Sequence, residues 1–322
     1  MNRRHFLGAF MATTAAPWPL ALAQLGAEPI RIVFPFAAGG SGDALSRLIA
    51  EALRAALDRP VIVENKTGAA GRIGTVAVRN AAPDGMTLLL TPIAPVAVYQ
   101  HVYPQLGYDP IADFEPISQI ATFDFGIAVN VDTPAKSLKE LVAWVKADSS
   151  RLSYGTPGAG TLPHFFAVLF GRAAGLDWQH VTYRGSAAAL TDLLGGQLPV
   201  LVTTTTDLLE VHKGGRIRIL ATSDAQRSEF LPDIPTFKES GYSIEGTAWY
   251  GMFAPAKTPK ELVAKLGAAI AKAVKTPEVA TRLRAIGLAP TGTTPEEFAA
   301  IQKRDSAFWL PAVKASGFVA IN

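Results

Sequence analysis

Two glycine-rich runs, each set between a short apolar stretch and a helix-like pattern, carry most of the chemistry this sequence offers. The first is Gly39-Gly40-Ser41-Gly42-Asp43, which follows Ile30-Arg31-Ile32-Val33-Phe34-Pro35. The second is Gly155-Thr156-Pro157-Gly158-Ala159-Gly160-Thr161, which follows Leu152 to Tyr154. A helix start presents unpaired backbone N–H groups and a partial positive charge, so it favours an anion. Glycine lets the backbone approach a ligand closely. Two such turns facing each other would close on one small anion. Hydrogen bonds to a charged group net roughly 1.5–3 kcal/mol each. Four or five of them, less the costs of binding, suffice for micromolar affinity, which needs about 8 kcal/mol. The same glycines also suit tight strand-to-helix connections that hold nothing.

Other chemistries lack their residues or their spacing. With no cysteine, there is no disulfide scaffold, zinc–thiolate site, iron–sulfur cluster or thiol nucleophile. Gly39 to Asp43 is not G-x-S-x-G, because position 43 is Asp. Gly155 to Gly160 is not G-x-G-x-x-G, and no Walker lysine follows a glycine run. His101, His164, His180 and His212 show no paired metal-binding spacing, and no local signature marks a Ser/His/Asp triad. The reading is therefore a chain without metal or cofactor, and a triad assembled only in three dimensions, in a secreted α/β enzyme acting on a carboxylate or acyl substrate, stays as the alternative to a binding protein.

The elements that must position the turns read as α/β. Ile30 to Pro35, Val61 to Glu64 and Thr87 to Leu90 are strand-like. Ala44 to Leu57 has apolar residues at helical spacing, and Gly68 to Gly74 is a glycine-rich entry to a helix at about 73–81. Strand, turn, helix, strand predicts a parallel sheet. After a loop at 103–116 the pattern restarts. Ile117 to Ala121 and Phe125 to Asn130 read as strands. Ser137 to Ala147 reads as a helix, with Ser137 and Glu140 spaced as a capping box. Further strands are expected at Val181 to Tyr183, at Ile217 to Ala221, and from Val200 into the threonine run ending at Asp207. Helices are expected from the second turn through Phe170, at Ser186 to Leu194, and at 259–275, 277–286 and 295–316.

The N-terminus reads as an address. Arg3-Arg4 precedes Phe6-Leu7, residues 6–23 carry no charge, and Ala21-Leu22-Ala23 is a small-x-small cleavage site. Residues 1–23 thus resemble a signal peptide of twin-arginine type. Without Arg3 and Arg4 the 30 basic residues become 28 against 27 acidic, a net of +1. That balance gives no sign of a nucleic-acid-binding face.

From Ile30 to Phe318 the chain resembles the tripartite tricarboxylate transporter receptor family, the Bug-type periplasmic solute-binding proteins. The resemblance rests on Phe34 to Asp43, Val63 to Gly71, Ala82 to Gly85, Tyr154 to His164, His180 to Gly185, Asp192 to Gln197, Leu231 to Thr236 and Thr294 to Phe298, all in order. It implies an α/β, two-domain Venus-flytrap periplasmic binding protein fold with mixed sheets and two crossover strands. One domain would comprise 28–124 plus 249–322, the other 125–248. The ligand would be a small organic carboxylate held in the cleft, with no enzymatic step. Carried over by position, the first turn contributes Phe36, Ala38, Gly39, Gly40 and Asp43. The second contributes Thr156, Gly158, Gly160, Thr161 and His164. Thr204 and Asp207 are expected at the distal pocket, and Trp249 either stacks on ligand or packs at the hinge. The Ala37-Ala38 lead and Gly42 depart from the usual family pattern. The implied partners are a tripartite membrane permease or a sensor-kinase ectodomain, with the receptor itself a periplasmic monomer.

Overall fold

In the computed structural model, residues 28–318 are described, so the expected leader lies outside the described residues. The first half runs β1 (Ile30–Phe34), α1 (Ser41–Leu57), β2 (Val61–Asn65), α2 (Arg72–Arg79), β3 (Thr87–Pro92) and β4 (Phe114–Phe123). Next come β5 (Phe125–Asn130), α3 (Leu138–Lys146), β6 (Ser153–Thr156), α4 (Leu162–Ala174), β7 (Gln179–Thr182), α5 (Ser186–Leu194), β8 (Leu201–Thr204), α6 (Thr205–Lys213) and β9 (Ile217–Thr222). The last part is β10 (Ala248–Pro255), α7 (Lys260–Val274), α8 (Pro277–Ala285), β11 (Ala289–Pro290) and α9 (Pro295–Ser316).

These strands form two sheets, ordered β11-β4-β10-β3-β1-β2 and β7-β6-β8-β5-β9. Both are mixed. β1 lies parallel between β2 and β3, whereas β10 inserts antiparallel between β3 and β4. In the second sheet β6 is parallel to β7 and β8, while β5 runs antiparallel to β8 and β9. Open α/β sheets bind ligands beyond the carboxyl ends of their parallel strands. The turns leaving β1, β6, β7 and β8 are of that kind.

The chain changes sheets at Asp124, which alone separates β4 from β5. It returns through 223–247, which is an irregular segment rather than the second crossover strand that the resemblance implies. Ser223 ties the two crossings together. Its Oγ accepts from the Phe125 N–H at 2.9 Å and donates to the Gly246 carbonyl at 2.7 Å. Helix α9 spans both sheets. Its Phe298 packs against Phe253 of the first, and its Trp309 stands edge-on to Phe166 of α4 with ring centres 5.5 Å apart.

Three local expectations change. Helix α1 starts at Ser41 rather than Ala44, because Gly40 takes the extended N-cap conformation. Gly42 then sits inside the first helical turn. A Cβ there would run into the Phe34 ring, so glycine is what lets the helix close on β1. The threonine run does not continue as strand. β8 stops at Thr204, whose side chain accepts from the Asp207 N–H at 3.3 Å and caps α6. At α3, Ser137 accepts from the Glu140 N–H, but the Glu140 carboxylate takes the Lys136 N–H instead of completing the box.

Candidate functional site

A cavity of about 70 Å³ lies between the two sheets. Its lining includes the first turns of four helices: Gly40, Ser41 and Gly42 of α1; Thr161, Leu162 and Pro163 of α4; Gly185 and Ser186 of α5; and Thr204 and Asp207 of α6. The starts of α1, α4 and α5 have no side-chain cap. At α4 and α5 the backbone donors therefore reach this space without the usual side-chain acceptor. The rest of the wall is aromatic and apolar, with Phe34, Phe36, Phe123, Phe125 and Tyr250. Phe123 and Tyr250 stack with ring centres 4.6 Å apart. Asp207 is the one charged side chain on the lining.

The first turn already holds two carboxylates. Asp43 Oδ2 accepts from the Gly39 N–H at 3.2 Å, and Asp207 Oδ1 accepts from the Ser41 N–H at 2.7 Å. The second contact runs from one sheet's helix to the other's. Beside it Thr206 Oγ1 donates to Ser41 Oγ at 2.8 Å. Asp43 also takes Arg47 Nε at 3.1 Å and Asn65 Nδ2 at 3.0 Å. Burial alone would raise the Asp43 pKa, but hydrogen bonds from Arg47, Asn65 and Gly39 outweigh it and hold the group below the usual carboxylate range. Burial first, and the Asp207 charge second, push the Tyr250 hydroxyl up, so it stays protonated.

The second turn is closed by neutral groups. The Gly160 N–H donates to His164 Nδ1 at 3.0 Å. Thr156 and Thr161 hydroxyls both donate to the Gly158 carbonyl, at 3.1 and 2.7 Å. His164 stacks on His180, ring centres 4.0 Å apart, and His180 Nε2 lies 2.7 Å from Thr156 Oγ1. Burial, then the neighbouring His180, pushes His164 down to about 3, and burial pushes His180 down to about 4. Both imidazoles are neutral at neutral pH.

Of the residues singled out in the sequence, Phe36, Gly40, Thr161, Thr204 and Asp207 line this cavity. Gly158 lines a larger cavity alongside it. Gly39 and Asp43 shape the first turn from behind, and Thr156, Gly160 and His164 shape the second. Ala38 is exposed and lines neither cavity. Trp249 is not a ligand platform. It is buried against Phe298, and its Nε1 donates to Asp305 Oδ2 at 2.9 Å. Sequence reading missed Ser186, although the α5 entry repeats the strand, glycine, helix order with a single glycine. It also missed Phe123, Phe125 and Tyr250, which flank the crossings and carry no signal beyond being apolar.

Two mixed sheets, two crossings and a cavity at the carboxyl ends of parallel strands define a periplasmic binding protein fold. Residues 45–318 match the family described as the tripartite tricarboxylate transporter family receptor, and the chain belongs to that family. The periplasmic binding protein BugD is 34% identical, covers 90% of this chain and 98% of its own, and superposes with a TM-score of 0.86. MatC from Rhodopseudomonas palustris, solved with bound malate, is 29% identical with a TM-score of 0.83, over 88% of this chain and 98% of its own. A second R. palustris protein, solved with adipate, is 29% identical with a TM-score of 0.87, over 91% and 98%. The chain is a solute-binding receptor of periplasmic type rather than an enzyme.

Proposed function

We propose that this receptor captures a small organic carboxylate in the 70 Å³ cavity and hands it to a tripartite membrane permease. The observation that carries the reading is that the uncapped starts of α4 and α5 meet the start of α1 in one apolar space. Backbone donors at helix starts favour an anion, and an apolar wall excludes the water that would compete for them. The Ser41 N–H is already given to Asp207, so the ligand carboxylate is anchored mainly at α4 and α5. The aromatic wall then receives its carbon skeleton. Malate and adipate in the related structures support the ligand class. In this reading 28–124 with 249–322 forms one body and 125–248 the other, rotating about Asp124 and 223–247. The leader at residues 1–23 directs export through the twin-arginine route.

Calorimetric unfolding in the presence of mono- and dicarboxylates tests the proposal. A ligand that binds only the native state adds about 2.7 kcal/mol at a hundred times its Kd. At least one carboxylate should give a saturable rise in Tm. No rise with any of them would overturn the reading.

A further inference from the structure

A second, larger cavity of about 690 Å³ adjoins the first and shares Phe36 and Pro157 with it. Its charge is the reverse of the inner one. The inner lining holds one carboxylate, Asp207, and no cation. The outer lining holds two cations, Arg72 and Arg184, and no acid. They come from opposite sides of the cleft: Arg72 opens α2 beside the first sheet, and Arg184 follows β7 of the second. Arg72 is pre-set. Its guanidinium lies 4.0 Å over the Tyr103 ring, and its Nε donates to the Ala69 carbonyl at 3.3 Å. Among the described residues Arg184 has no ion pair; it is exposed.

The loop that carries Arg72 is strained. Ala69 and Ala70 sit at φ 46° and 54°, between Gly68 at 126° and Gly71 at 92°. L-residues avoid that region unless their surroundings enforce it, and such strain gathers at ligand clamps. Here the fully buried Tyr99 enforces it, its hydroxyl donating to the Ala70 carbonyl at 2.7 Å. The result is a lip set close to the other side, where a Cβ added to Gly158 would come within 3.5 Å of Ala70 Cβ.

We infer that the outer cavity is a second anion subsite, in which Arg72 and Arg184 take the far carboxylate of a ligand whose first carboxylate sits in the inner cavity. This rests on the carboxylate reading above. A second carboxylate retained in the inner cavity would meet Asp207 in a small space without a cation. One reaching past Phe36 meets two guanidiniums in a roomy one. Guanidinium binds carboxylate through paired, charge-assisted hydrogen bonds. Discrimination for two-ended acids is thus assigned to the mouth, and tolerance of chain length to the space between the two ends.

Isothermal titration with matched pairs, butyrate against succinate and hexanoate against adipate, tests this on the processed protein and on Arg184→Gln, Arg184→Lys and Arg72→Gln. Arg184→Gln should weaken the better-bound dicarboxylate about tenfold, a loss typical of one charged hydrogen-bonded contact. It should leave the matched monocarboxylate within about a factor of two, and Arg184→Lys should recover part of the loss. Urea unfolding of Arg72→Gln separates a lost Tyr103 contact from a lost ligand contact. Equal losses for mono- and dicarboxylates would mean general steering by charge and overturn the subsite. So would an unchanged dicarboxylate affinity. If the unaltered protein binds monocarboxylates as tightly as dicarboxylates, the subsite falls while the inner carboxylate site stands. If it binds none of the four, both fall.

Discussion

The turns after β1 and β6 share a plan, a strand running through glycines into a helix, yet they differ in charge. The first turn spends its donors on the protein's own carboxylates, Gly39 to Asp43 and Ser41 to Asp207. The second gives Gly160 to a neutral imidazole, and neither α4 nor the adjoining α5 has an acidic residue in its first turn. A helix start attracts an anion only in so far as its positive end is not already answered. Similar local sequence thus yields one side that is electrostatically filled and one that is still open. The glycines differ in role as well. Gly42 makes room for Phe34 and Tyr250, whereas Gly160 adopts φ +71° with Val102, Phe318 and Tyr103 close around it.

The comparison breaks most sharply at α5. Ser186→Asp would place a fixed carboxylate on the open side, where two like charges about 4 Å apart interact by about 4 kcal/mol at an effective dielectric of 20. Carboxylate affinity measured by titration calorimetry should fall at least about a hundredfold. A small loss would show that the second side is not the anchor. A smaller effect of opposite sign is expected at the first turn. Asp207→Asn keeps an acceptor for the Ser41 N–H but removes the charge, so affinity for carboxylates should rise by about tenfold, most for dianions. A fall would mean that Asp207 serves the ligand directly.

The smallest expected effect separates the turns by pH. His164 and His180 have folded pKa values far below the ordinary 6.5, at about 3 and about 4. The unfolded state therefore takes up protons first. Their contribution to stability is complete above pH 6.5 and is lost as pH falls through the folded values. Asp43 is also lowered, but from 3.8, so its contribution persists to lower pH. In amide hydrogen exchange, corrected for the intrinsic rate, Gly160 should lose about fivefold in protection between pH 6.5 and 5.5, while Gly39 holds steady. Parallel loss at both amides would remove the distinction.

Much of this arrangement was legible in the sequence, for a local reason. An apolar run, glycines and a 3.6-residue period occur together within about twenty positions at both turns, so the helices that present the donors were expected near their observed places. Helix α6 was missed because four consecutive threonines favour strand by β-branching. The corrective signal was present, since Thr204 and Asp207 have the same three-residue spacing as Ser137 and Glu140. The cross-sheet contact of Asp207 with Ser41 links residues 166 apart, and no periodicity encodes such a meeting. Trp249 stayed undecided between ligand and packing for a related reason. A tryptophan beside a crossing has the same composition whether it faces a cleft or a core, and here Phe298 and Asp305, both from α9, decide it.

The position of Trp309 has an optical consequence. None of the described tryptophans lines either cavity: Trp144 lies beside Arg151, Trp178 beside Tyr154, and Trp249 beside Phe298. A change in indole emission on adding a solute would therefore not report contact with that solute. Trp309 is placed to respond to motion instead. It rides on α9, which packs against the first sheet, while its ring meets Phe166 of α4 and crowds Gly246 of the return crossing. If the two bodies of the proposed function rotate against each other, that indole's surroundings change directly, and its fluorescence would serve as a built-in gauge of closure. Trp309→Phe would silence the gauge without touching the solute.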